Sequence, residues 1–185
     1  MTKTSTLHPP AEDPSARGAR TIRYALGHCS LGHLLVAATE RGVCAVLPGD
    51  DPAALRADLG ARFPAAKLIE SSSALAAQLK RIERHIDDPD PAAAADLALD
   101  MHGTAFQQGV WTALRKIPKG KTVSYTDIAR NIGAPGSARA VAGACGANAI
   151  AVLVPCHRVV RSDGTLSGYR WGTDRKRRLL ARERQ

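Results

Sequence analysis

Ser124–Asn148 reads SYTDIARNIGAPGSARAVAGACGAN, and the fold turns on where helices start and stop within it. Ser124 followed three residues later by Asp127 is a helix-start pairing, in which the hydroxyl accepts from the backbone ahead and the acid reaches back. Ile128 and Ile132 follow at helical spacing. Gly133-Ala134-Pro135-Gly136 then forces a turn, because proline lacks an N–H donor and glycine alone enters positive φ without strain. Ser137 stands where it can cap a second helix running to about Asn148. Helix, tight turn and helix make a helix-turn-helix.

The second of these helices is unusual. Ala138, Ala140, Ala142, Gly143, Ala144, Gly146 and Ala147 are all tiny, and only Arg139 and Asn148 have polar reach. A helix that reads base edges in the major groove needs several long polar side chains. This one suits close approach to a nucleic-acid backbone or minor groove, with little sequence readout.

Working outward, Gly103-Thr104 opens a helical stripe of Phe106, Val110, Leu114 and Ile117 that ends at Pro118 and Gly120. Further upstream, Thr21–Leu26, Gly32–Ala38 and Gly42–Leu47 are short runs rich in Val, Leu and Ile, punctuated by Gly, and predict a small antiparallel sheet. Leu55, Leu59 and Phe63, then Leu75, Leu79, Ile82 and Ile86, mark the buried stripes of two amphipathic helices. Asp87–Ala95, with two prolines, acids and an alanine run, reads as a linker, and residues 1–20 read as a disordered tail. The expected organisation is therefore a tail (1–20), an α/β subdomain (21–95) and a mostly helical unit (96–185), giving an α+β chain.

Charge divides at the same place. Residues 101–185 carry fifteen Lys and Arg against four acids, and residues 1–100 carry eleven against thirteen, so the net charge of +9 is the sum of +11 and −2. A basic half of this kind is the footprint of a phosphate-binding surface, and equally of a solubilising or membrane-attracted one. The four cysteines fall at irregular spacings with no secretory signal, which predicts free thiols in a reducing, cytoplasmic compartment. No apolar run approaches a membrane span. His28, Cys29 and His33 match no tetrahedral spacing, so neither a metal nor a cofactor is expected.

Ala149–Val154 is a continuous apolar run that delivers the chain to Pro155-Cys156-His157-Arg158. The thiolate is the reactive form of cysteine, and a neighbouring imidazole and guanidinium lower a thiol's pKa, so this setting predicts a nucleophile. Cys44, in an apolar strand, and Cys145, among small helical residues, read as packing.

Pro155-Cys156-His157-Arg158-Val159 resembles the acceptor motif of the O6-alkylguanine-DNA alkyltransferases. Gly103-Thr104-Ala105-Phe106-Gln107, Val110-Trp111, Ile117-Pro118, Ser124-Tyr125, Arg139-Ala140-Val141, Asn148, Gly164, Gly168-Tyr169 and Leu179-Leu180 resemble the same family in the same order. The resemblance covers about residues 21–185. It is strongest, through Val159-Val160-Arg161 and Gly164–Gly172, toward the transferase half of the Ada type.

The resemblance implies a ribonuclease H-like amino-terminal sheet with helices, followed by a winged helix-turn-helix domain. It implies a monomer acting once on double-stranded DNA that contains O6-alkylguanine. It makes Cys156 the alkyl acceptor, His157 a base working through a water, and Glu183 the carboxylate that orients the imidazole. Asn148 becomes a hinge bracing Cys156 at the end of an active-site strand, and Tyr125 a donor to the turned-out guanine. Arg139 fills the vacated stack, and Ser124, Ala138 and Arg158 face the DNA. Val159, Tyr169, Arg170 and Trp171 line the pocket, with the carbonyls of Cys156 and Val159 accepting from the guanine amino group. A DNA-binding regulator would leave Cys156-His157 unexplained. A turnover cysteine hydrolase would use the same pair on an ester or peptide.

Overall fold

The computed structural model describes residues 20–88, 94 and 96–184. The expected tail up to Ala19, and residues 89–93 and 95 of the expected linker, lie outside the described residues.

The chain opens as β1 (Thr21–Cys29), β2 (Gly32–Thr39) and β3 (Gly42–Gly49), joined by tight turns and paired antiparallel. β2 lies inside the sheet and is buried from Leu34 to Ala38, which explains its unbroken apolar run. α1 (Pro52–Arg62) is capped by Asp51, whose carboxylate accepts from the backbone of Ala53 and Ala54, and it buries Leu55 and Leu59. Phe63, the third residue of the expected stripe, falls just past the helix end.

A fourth strand corrects the sequence reading. β4 (Lys67–Glu70) pairs parallel with Thr21–Tyr24, so the sheet is mixed, in the order β3-β2-β1-β4. Four residues with a charge at each end give too little alternation to be seen in advance. α2 (Ser72–Asp87) lays Leu75, Ile82 and Ile86 inward and packs chiefly on β1.

The other edge of the sheet positions the second half of the chain. β3 accepts two segments in parallel: Val43 bonds to Ala98 and Asp100, and Val46 bonds to Ala149 and Ala151. Gly42 has φ +142, and a Cβ there would lie 2.3 Å from the Ala98 carbonyl oxygen, so only glycine admits this approach.

α3 (Ala105–Arg115) starts with a Thr104–Gln107 capping box. α4 (Tyr125–Asn131) starts with the expected one between Ser124 and Asp127. Gly133 and Gly136 take positive φ in the turn, and α5 (Ala138–Ala147) follows. Ser137 stands at its N-cap, but its side chain makes no capping bond. Val123–Ser124 (β5) and Val159–Val160 (β6) form a short parallel pair. α6 (Thr173–Glu183) closes the chain and buries Lys176, Leu179, Leu180 and Glu183. The structure is α+β, as the sequence predicts.

Candidate active site

The apolar run Ala149–Val154, where the resemblance implies an active-site strand, makes one bridge at Ile150 and then a run of turns from Ala151. Its start is stitched to β3 through Ala149 and Ala151, and its end enters one turn of 3-10 helix, Cys156–Arg158. Asn148, the C-cap of α5, ties the two together. Its Nδ2 donates to the Val154 carbonyl at 2.9 Å and to Cys156 Sγ at 3.3 Å, while its Oδ1 accepts from the Ile150 N–H at 2.9 Å.

Cys156 is 4% exposed and lies in the wall of a cavity of about 570 Å³. Tyr125, Ala138, Arg139, Tyr169 and Arg170 line the same cavity, so five of the expected residues meet around the thiol. The Tyr125 hydroxyl is 2.6 Å from Ser167 Oγ. The Tyr169 hydroxyl is buried with no partner among the described residues. Arg170 is held at the rim by Asp58 of α1, at 2.7 Å.

Behind the thiol, His157 Nε2 lies 2.7 Å from Glu183 Oε1, both side chains essentially buried. A carboxylate only accepts, so Nε2 carries the hydrogen and Nδ1, which has no partner among the described residues, is the basic nitrogen. Burial depresses the His157 pKa against the pull of Glu183, which keeps the ring neutral. Burial pushes the Glu183 carboxyl up, but hydrogen bonds and charges from His157 and Arg158 outweigh it and bring it down to about 2.

Five expectations need correction. Burial pushes the Cys156 thiol up to about 11, opposed by the Asn148 hydrogen bond and then by the charge of Lys176, so the resting thiol is not activated. Arg158, expected to face DNA, is turned inward: it grips Glu183 at 2.8–3.1 Å and donates to the Ile117 carbonyl at 2.6 Å. The Val159 carbonyl, expected to accept from the base, already accepts from Lys176 Nζ at 2.5 Å and Ser167 Oγ at 3.4 Å. Trp171 is 7% exposed but lies outside the cavity wall, its ring packed edge-on behind Tyr169 with centroids 5.1 Å apart. The Ser124 hydroxyl is committed to capping α4.

Sequence reading missed Lys176. Its ammonium is fully buried and donates to Ser167 Oγ at 2.8 Å as well as to Val159, linking α6 through Ser167 to Tyr125. A signal did exist: Lys176, Leu179, Leu180 and Glu183 fall at i, i+3, i+4 and i+7, so the two charged residues share the apolar stripe. Cys145, read as packing, is buried and also faces this cavity. Among the described residues, no group of three or more His, Cys, Asp or Glu could hold a metal ion, and the His28 and His33 rings pack edge to face.

The family model for the 6-O-methylguanine DNA methyltransferase DNA-binding domain matches residues 105–185. The bifunctional transcriptional activator/DNA repair enzyme Ada of Escherichia coli is 52% identical over 162 residues, which are 88% of this chain and 45% of that protein. The inducible methylated-DNA–protein-cysteine methyltransferase of Bacillus subtilis is 40% identical over 124 residues, 67% of this chain and 68% of the relative. A crystal structure of Mycobacterium tuberculosis O6-methylguanine methyltransferase is 34% identical and superposes with a TM-score of 0.70, covering 88% of this chain and 93% of that one. The chain belongs to the methylated-DNA–protein-cysteine methyltransferase family. It spans about half the length of the first curated relatives it matches, 45%, 46% and 54% of them. A second M. tuberculosis structure, of OGT in complex with DNA, is 35% identical with a TM-score of 0.72.

Proposed function

We propose that this chain repairs alkylated duplex DNA directly, taking the alkyl group from O6 of guanine, chiefly methyl, onto Cys156 Sγ once per molecule. One observation carries the reading: Cys156 opens on a cavity with room for a base while a buried His157–Glu183 pair lies behind it. The names of the relatives support the same chemistry.

The thiol proton passes to His157 Nδ1 through a water, and the imidazolium is held by Glu183. The sulfur then attacks the methyl carbon, the C–O6 bond breaks, and its electron pair returns to the guanine. The leaving base takes a proton from the Tyr125 hydroxyl, whose supply runs back through Ser167 to the Lys176 ammonium. The product is a thioether, which water does not cleave, so the protein is consumed. A sulfur this deeply placed cannot reach O6 inside a stacked duplex. The base must turn out, at a cost of a few kcal/mol.

Arg139 on the small-residue face of α5 is the side chain to occupy the vacated stack. Gly143 and Gly146 on this helix have nothing within 4 Å of an added Cβ, which suits close approach of a groove. Every side chain named comes from one chain, which supports a monomer as the acting species. All four cysteines are free, which suits a reducing cytoplasmic setting, and no described helix is long and apolar enough to cross a membrane.

Intact-protein mass spectrometry after mixing with an O6-methylguanine duplex tests this. A gain of one methylene per chain, mapped to Cys156, is expected. Repeated turnover of an ester or peptide without mass gain would replace the reading with a cysteine hydrolase.

A further inference from the structure

Among the described residues, Val152 is the single non-glycine at positive φ, at +68. A β-branched residue there is a genuine outlier. The hydrogen bonding explains how it arises. The Leu153 N–H donates to the Ala151 carbonyl at 2.8 Å, closing a three-residue turn about Val152, and the Cys156 N–H donates to the Val154 carbonyl at 2.8 Å, closing a second about Pro155 (φ −80, ψ 61). The second is the relaxed hand of the γ-turn, and the first is the rare, strained one.

These turns sit between two anchors. Upstream, Ala149 and Ala151 are bound to β3; downstream, Val154 donates to the Ile150 carbonyl and accepts from Asn148. Ala151, Val152 and Val154 are buried in the main core, so the segment is packed as well as anchored. Cys156 lies in the wall of one cavity, and Val152, Leu153, Pro155 and Arg158 line a second of about 430 Å³. Glycine would accept this backbone freely, yet the sequence has valine. Strain of this kind persists only where the surroundings over-determine it.

We infer that Val152 is a positioning residue: its strained turn draws the loop taut between β3 and Asn148, and so fixes Cys156 Sγ in the cavity wall. This inference rests on the proposed alkyl transfer for its consequence, but not for its test. Val152→Ala removes most of the valine packing and keeps a Cβ, whereas Val152→Gly loses the same packing and also releases the strain. Val152→Ile keeps the β-branch.

Two rates are read for each variant: methyl transfer from duplex in a single turnover, and alkylation of Cys156 by iodoacetamide without DNA, mapped by mass. In Val152→Gly the slack loop should slow methyl transfer roughly tenfold or more through misplacement of the sulfur, while iodoacetamide reaches the thiol faster. Its DNA affinity should stay at the wild-type value, and it should melt no lower than Val152→Ala. Val152→Ile should retain both wild-type rates. Glycine and alanine variants alike in both rates, or a glycine variant that unfolds below the alanine one, would overturn the inference. If the wild type transfers no methyl group, the proposed function falls, and the iodoacetamide contrast still decides the role of Val152.

Discussion

Cys156 and Glu183 occupy one site, and their environments drive their ionisation in opposite directions. The thiol, pushed up to about 11, holds its proton in the resting protein. The carboxyl, brought down to about 2, is charged at every physiological pH. The Glu183 value carries a stability consequence. A folded-state pKa below the ordinary 4.5 means that the carboxylate stabilises the fold above that value, and that this contribution is lost as pH falls from about 4.5 toward about 2. Denaturant melts of the wild type should lose stability across that window, and Glu183→Gln should lack that part of the slope. At neutral pH the variant should already be weaker by about 3–5 kcal/mol, because Arg158 is left without its buried partner. A wild-type curve that stays level down to about pH 2 would contradict the pairing. Cys156 gives a cleaner separation of chemistry from binding. Cys156→Ala should abolish methyl transfer and leave duplex affinity near the wild-type value, because the thiol is recessed while the cations lie outside it. Methyl incorporation by the variant, measured with labelled DNA, would move the acceptor elsewhere.

The helices and the Tyr169–Trp171 segment show which kinds of feature a sequence discloses. The capping box of α4, the glycines of the turn and the small face of α5 were all legible, because each depends on neighbours close in the chain. β4 and the inward turn of Arg158 were not, since both are settled by partners more than twenty residues away. Lys176 lay between, legible as a member of the stripe and hidden as a buried charge. The same distinction governs Trp171. The resemblance puts it in the pocket lining beside Tyr169, where an indole would narrow the space for the alkyl group, but the ring packs edge-on against the tyrosine and is not among the residues lining the cavity. Trp171→Gly should therefore cost about 3–5 kcal/mol of stability through the void it leaves, and should not raise the benzyl transfer rate selectively over methyl. A selective gain on O6-benzylguanine would return the indole to the pocket wall. For α5, Arg139 projects from an exposed face into the mouth of the same cavity. Arg139→Ala should slow transfer from duplex far more than transfer from the free methylated base, because only the duplex leaves a gap in its stack. Equal slowing of the two would assign Arg139 to the pocket alone.

Across the whole molecule the excess of +11 in residues 101–185 overstates the surface available to phosphates, because much of it is already committed. Arg158 is bound to Glu183, Arg170 to Asp58 and Arg177 to Asp174. Lys176 is buried. Arg175 and Arg182 clasp the β1–β2 turn and the end of α2: Arg175 donates to the Leu31 carbonyl and pairs with Asp50, and Arg182 donates to the Ile86 carbonyl. Arg170, Arg175 and Arg182 thus use positive charge to fasten the two halves of the chain together. Arg139 and Arg161 remain on the cavity face, with Arg115, Lys116, Lys119 and Lys121 on the neighbouring α3 end and loop, and none of these six is in an ion pair among the described residues. Each phosphate neutralised contributes about 0.9 to the slope of log affinity against log salt, so counting the full excess would give roughly −10. The committed cations take no part in that release, and a footprint centred on the cavity engages only some of the free ones. The slope should therefore be roughly −2 to −4. Cys156→Ala is the form to use, since it binds without being consumed, and equilibrium affinity for one duplex at several salt concentrations reads the slope directly. Arg161→Ala should make it shallower by about one contact, while Arg177→Ala should leave it unchanged. A slope near −10 would mean that the clasping arginines let go of the fold to bind DNA.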